Sequence, residues 1–262
     1  MKRKTFLAAE LSWTEFEEHM RHDDVVIIPV GMLEEHGRHN PLGTDTFIAG
    51  HCAARIGERA GALVAPVFPY GYGPEGKRYP GQVSLSPQLL RKIWYAYGSS
   101  YAKHGARRFL FVNGHGGNAG ILRMLAGDLW HDYHALCAST EWWLLVPQIK
   151  PELPCNDHGG LYETSCMLAI KPDLVDMGRA QDPVPDAILS ENIRAGYNVT
   201  YKGEPFFATV DDYRLGRAGN LGAPPRGANE KTGADVLEAY IDYNAGLIGE
   251  LRKIDLKHKE NH

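Results

Sequence analysis

The chain has 262 residues, of which 44% are hydrophobic and 23% are charged, as is usual for a globular protein. Its formal net charge of −4 at pH 7 gives no excess of basic surface and argues against nucleic acid as a partner. No apolar run approaches the roughly 18–20 residues of a membrane span, so we expect no membrane association. The four cysteines form no C-x-x-C pair and are expected to be reduced thiols, as in a cytoplasmic protein.

Strands and helices are predicted to alternate along the chain. The capping-box spacing of Ser12 and Glu15 predicts a helix to about residue 20, and the β-branched run at Val25–Val30 predicts a buried strand. Further strands are predicted over 62–68, 108–112 and 135–140, and further helices over 46–59, 87–103, 118–130, 160–170 and 230–257. Residues 70–81 are too rich in Gly and Pro for regular structure, and residues 171–228 are hard to assign. The alternation predicts an α/β fold: a single domain over 1–262, with a mostly parallel central sheet and helices on both faces.

Three polar clusters carry carboxylate and imidazole groups. Two of them directly follow the strands predicted to end at Val30 and Val112, and the third opens the helix predicted over 160–170. In parallel sheets, ligands gather at the carboxyl ends of the strands. Carboxylates and imidazoles bind zinc, manganese and iron(II). The candidate metal ligands are Glu34, His36 and Asp45 in the first cluster, His115 in the second and Glu163 in the third, where His158 can face the same cavity.

Each cluster taken alone also permits a simpler interpretation. The first could be a polar surface loop in which Asp45 caps a helix beginning at Thr46. The second could be a Gly-rich turn whose amides bind phosphate, although it lacks the Lys of a P-loop and the glycine spacing of a dinucleotide site. In the third, Glu163 could simply be favoured by the helix dipole. Together the clusters supply three carboxylates and three histidines, which favours a metal-dependent hydrolase.

The order and spacing of the clusters resemble the creatininase (creatinine amidohydrolase) family over about residues 10–175. The segments that carry the resemblance are Glu34-Glu35-His36-Gly37-Arg38-His39, Leu42-Gly43-Thr44-Asp45, Tyr79-Pro80-Gly81, Asn113-Gly114-His115-Gly116-Gly117-Asn118 and His158-Gly159-Gly160-Leu161-Tyr162-Glu163-Thr164. The resemblance implies a single α/β domain, a two-metal site and a homo-oligomer, commonly a hexamer.

The resemblance also implies how the metal ligands are shared. Glu34 and His115 are expected on one metal and His36 on the other, with Asp45 bridging both. Creatininase has a glutamate two residues after the histidine of the second cluster, where this chain has Gly117. Glu163 is the candidate replacement for that carboxylate. This departure argues against creatinine itself as the substrate.

The remaining candidates are expected to surround the metals. His158 is predicted to give a proton to the leaving nitrogen, because imidazole titrates near neutral pH, and Glu163 is counted with it among the catalytic groups. Lys77 and Arg78 suggest a substrate with carboxylate, phosphate or several oxygen groups, the alternative being a solvated loop. Trp143 is predicted to cover the substrate, the alternative being core packing. The residues predicted to orient ligands and loops are His39, Asn113 and Asn118.

The predicted activity is attack of a metal-activated hydroxide on the carbonyl of a small cyclic amide or related C–N substrate. It would use two divalent ions per subunit, of zinc, manganese or iron. One alternative is hydrolytic ring opening of an oxidised cyclic polyol or diketone, such as a keto-inositol. An alternative of another class is a metal-stabilised scaffold or peptide-maturation partner without small-molecule turnover. The sequence leaves open the substrate, the metal, the oligomer number and the role of residues 171–228.

Overall fold

A four-stranded parallel sheet forms the centre of the computed structural model, which describes residues 5–73, 79–184, 187–195, 199–206, 208 and 218–256. The order of the strands across the sheet is β2-β1-β3-β4. They are β1 (Val25–Val30), β2 (Leu63–Val64), β3 (Arg108–Asn113) and β4 (Leu136–Glu141). The parallel central sheet is therefore confirmed.

The register between β1 and β3 aligns the ends of these two strands. Val25 lies opposite Arg108 and Val30 lies opposite Asn113, while Asn113 in turn lies opposite Glu141 of β4. All three strands run in the same direction, so their carboxyl ends share one edge of the sheet. The polar loops that follow β1 and β3 consequently leave the sheet side by side.

Helices cover both faces of the sheet, as predicted. Alternate residues of β1 point to opposite faces, so that Val25 and Ile27 join one buried cluster while Val26 and Ile28 join the other. The first face is covered by α2 (Thr44–Ala60), α5 (Trp142–Ile149), α6 (Leu161–Ile170) and α7 (Glu230–Leu251). The second face is covered by α1 (Trp13–His22), α3 (Pro87–Lys103) and α4 (Ala119–Tyr133). Within the described residues, no helix combines the length and the hydropathy that a membrane span requires.

Several predicted boundaries differ from those of the structure. The strand predicted over 62–68 is regular only at Leu63–Val64, because Pro66 has no N–H to give to the ladder; Phe68 rejoins β1 through an isolated bridge to Val30. Helix α2 begins at Thr44, two residues earlier than predicted. Helix α7 ends at Leu251, where the Arg108 guanidinium donates a hydrogen bond of 2.7 Å to the terminal carbonyl. The last residue of the predicted helix, 257, lies outside the described residues.

A small antiparallel sheet occupies part of the region that was hard to assign. Its strands follow one another in chain order and each has only two or three residues. Such short strands carry no detectable period in the sequence. They are β5 (Ala187–Ile188), β6 (Ile193–Ala195), β7 (Val199–Tyr201) and β8 (Glu204–Pro205).

Helices α6 and α7 pack backbone to backbone at Gly233. A Cβ atom on this glycine would lie 1.9 Å from the carbonyl oxygen of Ser165, inside van der Waals contact. Since α6 carries Glu163 in its first turn, the close approach of α7 helps to fix where that carboxylate lies.

Gly233→Ala is expected to destabilise the fold by about 1–3 kcal/mol, because the added methyl must push α7 away from α6. Gly246→Ala is the matched control in the same helix, where a Cβ would meet nothing within 4 Å. The control should be neutral or gain up to about 1 kcal/mol from helix propensity. Thermal unfolding of both variants measures the difference, and equal melting temperatures would contradict this packing.

Candidate metal centre

Asp45 lies in the first turn of α2 and points into a buried polar cluster. Its Oδ1 lies 2.8 Å from Nε2 of His36. The residue that precedes the helix is Gly43, so the interpretation of Asp45 as an N-terminal cap is wrong. The helix begins early enough to turn this carboxylate away from the backbone and toward the loop after β1.

Six of the predicted residues meet at the carboxyl edge of the sheet. They form three overlapping sets of three, and within each set one ligand atom from each residue lies within 4.8 Å of the others. The sets are Glu34 with Asp45 and His115, His36 with Asp45 and Glu163, and Glu34 with His36 and His158. The three sequence clusters therefore converge on one centre.

The His115 ring is held from both sides. Its Nδ1 lies 2.8 Å from Oε1 of Glu34 and 3.3 Å from Oδ2 of Asp45. Its Nε2 donates a hydrogen bond of 2.9 Å to the backbone carbonyl of Tyr72. That hydrogen bond leaves Nδ1 to face the ligand set. Tyr72 is not among the predicted residues, since a backbone carbonyl group leaves no mark on residue type.

Gly117 has no room for the glutamate that creatininase carries at this position. A Cβ there would lie 1.9 Å from the Tyr72 carbonyl oxygen and 2.7 Å from Nε2 of His115. The carboxylate comes from α6 instead: Oε2 of Glu163 lies 3.4 Å from Nε2 of His36. The same oxygen accepts a hydrogen bond of 2.5 Å from the Gly159 N–H. These contacts agree with Glu163 as the replacement, whose role as a ligand stays a prediction.

Asp157 supports the start of α6 and was not singled out from the sequence. Its Oδ2 accepts a hydrogen bond of 2.6 Å from the Tyr162 N–H, and its Oδ1 accepts one of 3.4 Å from the Glu163 N–H. The side chain is buried, and burial raises its pKa to about 7. An acid shortly before a predicted helix start was the signal that could have identified it.

The electrostatics of the cluster suit cations. Burial alone would lower the pKa of His36, but the charges of Asp45 and Glu163 outweigh burial and raise it to about 10. The pKa of His115 is likewise raised against the effect of burial, chiefly by the Glu34 charge. Both imidazoles thus hold protons that compensate buried carboxylates. Oδ2 of Asp45 is buried and makes no well-formed hydrogen bond with the described residues, its near neighbour being the His115 ring at 3.3 Å, as expected of an atom placed to bind a metal.

His158 stacks beside the ligands. Its ring centroid lies 4.5 Å from that of His36, and its Nδ1 lies 3.9 Å from Oε1 of Glu34. Burial and then the positive charge of His36 lower the pKa of His158 to about 4. The imidazole is therefore neutral near neutral pH and can accept a proton before it returns one.

The residues predicted to orient the ligands contact the ligand-bearing turns. Nε2 of His39 lies 2.9 Å from the Thr164 hydroxyl, next to Glu163. Oδ1 of Asn113 accepts hydrogen bonds from the His115 N–H and from the Asn118 side chain. The Asn118 Oδ1 accepts a third from the Tyr72 N–H at 3.2 Å. The contacts agree with the orienting role, which stays a prediction.

A late segment of the chain closes over two of the ligand loops. The Gly37 N–H donates to the Gly219 carbonyl at 2.7 Å. His158 and Leu221 exchange two backbone hydrogen bonds, of 3.0 and 2.8 Å. The segment 218–223 thus ties the loop after β1 to the loop before α6.

The predicted substrate-binding residues are placed less directly. Trp143 is half-buried, packs against the core cluster and meets the buried Trp142 ring edge-on at 5.8 Å. Its role over the substrate stays a prediction. Lys77 and Arg78 lie outside the described residues.

A family model described as creatinine amidohydrolase matches residues 9–248. The creatinine amidohydrolase of Pseudomonas putida is 32% identical over 94% of this chain and 97% of its own. A mycofactocin precursor peptide peptidase of Mycolicibacterium smegmatis is 36% identical over 66% of this chain and 69% of its own. A 3-dehydro-scyllo-inosose hydrolase of Thermotoga maritima is 24% identical over 92% of this chain and 82% of its own.

A solved structure described as "Creatininase Mn" superposes with a TM-score of 0.76 and 30% identity. The match covers 95% of this chain and 99% of that one. The family model, the Pseudomonas putida relative and this solved structure thus agree over nearly the whole chain. The chain belongs to the creatininase family of metal-dependent hydrolases.

Proposed function

We propose that this chain hydrolyses a C–N bond next to a carbonyl, in a small cyclic amide or a related substrate, at a centre of two divalent ions. The observation that carries the proposal is the pair of ligand sets that share Asp45. The residues proposed to hold the ions are Glu34 and His115 for one, His36 and Glu163 for the other, and Asp45 for both.

The two oxygens of Asp45 support the bridging role. Oδ1 faces His36 at 2.8 Å and Oδ2 faces His115 at 3.3 Å, so one oxygen belongs to each set. Imidazole and carboxylate ligands accept zinc, manganese or iron(II). The related structure names manganese.

Two bound divalent ions supply Lewis acidity, which lowers the pKa of water and polarises a carbonyl oxygen. The chain's own residues then handle the protons. A neutral His158 accepts a proton from the attacking water at Nδ1, the nitrogen that faces Glu34. It returns that proton to the leaving nitrogen, as a general base and then a general acid. Asp157 and Gly159 keep Glu163 in place meanwhile.

Relatives support C–N hydrolysis over the two alternatives. The Pseudomonas putida relative, which this chain matches over almost its whole length, is named as an amidohydrolase. The Mycolicibacterium smegmatis relative is named as a peptidase. Both names describe cleavage of a bond between nitrogen and a carbonyl. The hydrolase of Thermotoga maritima keeps ring opening of an oxidised cyclic polyol as the second candidate. A scaffold without turnover does not account for a neutral imidazole held against the ligand sets.

We further propose that the chain forms one domain over 1–262 and assembles into a homo-oligomer, a hexamer by resemblance to the family. We also propose that the protein is located in the cytoplasm. Large exposed hydrophobic residues support association, among them Trp13 at 78% and Ile188 at 71% exposure. Free thiols at all four cysteines support a reducing compartment.

The function is tested with a substrate panel on the metal-loaded enzyme. Cyclic amides, formamides and short peptides are scored for release of amine or ammonia, and oxidised cyclic polyols for release of acid without nitrogen. We expect chelator-sensitive amine release. Acid release alone would favour ring opening as the function. Bound metal without turnover of either substrate class would favour a metal-stabilised scaffold.

Replacing a ligand and replacing the proton acceptor should have separable effects. Asp45→Ala is expected to lower bound metal and abolish hydrolysis, because it removes an oxygen from both sets. His158→Ala is expected to keep its metal and lose about 10²–10⁴-fold in kcat. Metal analysis alongside steady-state kinetics distinguishes the two. Full turnover by His158→Ala would refute its role.

Gly117→Ala is expected to weaken metal binding, because a methyl group there displaces the Tyr72 carbonyl that holds His115. Gly116→Ala is the matched control in the same turn, since a Cβ at Gly116 meets nothing within 4 Å. Titration with zinc under a competing chelator compares their affinities. Wild-type zinc affinity in both variants would show that the Tyr72 carbonyl does not hold the His115 ring in its position for metal binding.

A further inference from the structure

Glu35 is a buried acid to which no role has been assigned above. It lies between the proposed ligands Glu34 and His36 in the chain. It is 6% exposed. The turn at Gly219 packs against this side chain. A Cβ on Gly219 would lie 3.2 Å from the Glu35 Cγ and 3.5 Å from the Tyr79 ring. The carboxyl group is thus enclosed.

The His158 ring and the Glu35 carboxyl group lie close together. Nε2 of His158 is buried and has no hydrogen-bond partner among the described residues, and the same is true of Oε2 of Glu35. The other oxygen of Glu35, Oε1, lies 3.9 Å from that Nε2. Buried donors and acceptors are costly when they are left unpaired. A shift of about 1 Å closes the gap to a hydrogen bond.

The opposite edge of the same ring faces the metal ligands. Nδ1 of His158 lies 3.9 Å from Oε1 of Glu34. A neutral imidazole carries one N–H and one lone pair, so the partner of one nitrogen decides what the other presents. If Nε2 carries the hydrogen toward Glu35, then Nδ1 presents its lone pair to the ligand cluster.

We propose that Glu35 is a positioning residue that accepts a hydrogen bond from the Nε2–H of His158 and so keeps the Nδ1 lone pair directed at the metal ligands. The inference rests on the proposed function only in giving His158 the role of proton acceptor. The hydrogen bond itself does not depend on which substrate is hydrolysed.

What the pair requires at position 35 is an acceptor oxygen of the right reach. Glutamine supplies a carbonyl oxygen on a side chain of the same length. Methionine fills a similar volume and has no comparable acceptor. Glu35→Gln should therefore preserve the orientation of His158, and Glu35→Met should lose it.

The first measurement is independent of turnover. In zinc-loaded full-length protein with ¹⁵N-labelled histidine, the two nitrogens of the His158 ring report which one carries the hydrogen, and a His158→Gln spectrum identifies them. We expect the Nε2–H form in wild type and in Glu35→Gln. Glu35→Met should show a mixture of the two tautomers. Glu17→Met, which removes an exposed acid of α1, is the control and should match wild type.

The second measurement is kinetic. Glu35→Met should lose about 10- to 100-fold in kcat with KM and bound zinc unchanged, as when an orienting partner is lost. Glu35→Gln should restore most of kcat. The proposal is overturned if Glu35→Met keeps the wild-type tautomer, if it loses zinc, or if Glu35→Gln is as impaired as Glu35→Met. Absence of hydrolysis in wild type would reject the proposed function, while the nitrogen spectra would still decide the hydrogen bond.

Discussion

The parallel register of β1 against β3 is the constraint from which the site follows. Because Val30 and Asn113 lie opposite each other, the two loops that carry most of the proposed ligands leave the sheet at neighbouring points. Both strands are buried by helices on each face, so a slip of one residue would turn apolar side chains into the wrong layer. The position of the ligands is therefore secured by core packing. The polar residues contribute chemistry to a frame that apolar residues fix.

Concentrating carboxylates at a buried edge has a cost, and the fold meets it locally. Each acid has an imidazole ring or a backbone N–H close to it. Buried carboxylates beside imidazoles also suit divalent ions. Space at this edge is also limited, and Gly117 has no side chain to fill it. The Tyr72 carbonyl occupies that volume and holds His115, while the Glu163 carboxylate of α6 lies beside His36. Asp157 and the contact at Gly233 then make the start of α6 a rigid platform.

The sequence predicted the central strands, the covering helices other than α5 and the six converging side chains, because each has a residue-type signal. Buried strands appear as β-branched runs, and ligands appear as His and carboxylates after them. Groups without such a signal were missed. The Tyr72 carbonyl is a backbone atom, and the strands of the small sheet are too short to show a period. Pro66 was present in the sequence, yet its effect on β2 was underestimated because the apolar run continued through it.

The segment 218–223 makes the arrangement of the ligand loops depend on the order in which the chain is synthesised. Its hydrogen bonds to Gly37 and to the backbone of His158 join a stretch near the end of the chain to loops made much earlier. Those loops cannot reach their final arrangement while this stretch is still inside the ribosome. The ligand loops of a nascent chain thus lack these hydrogen bonds until residues 218–223 have left the ribosome.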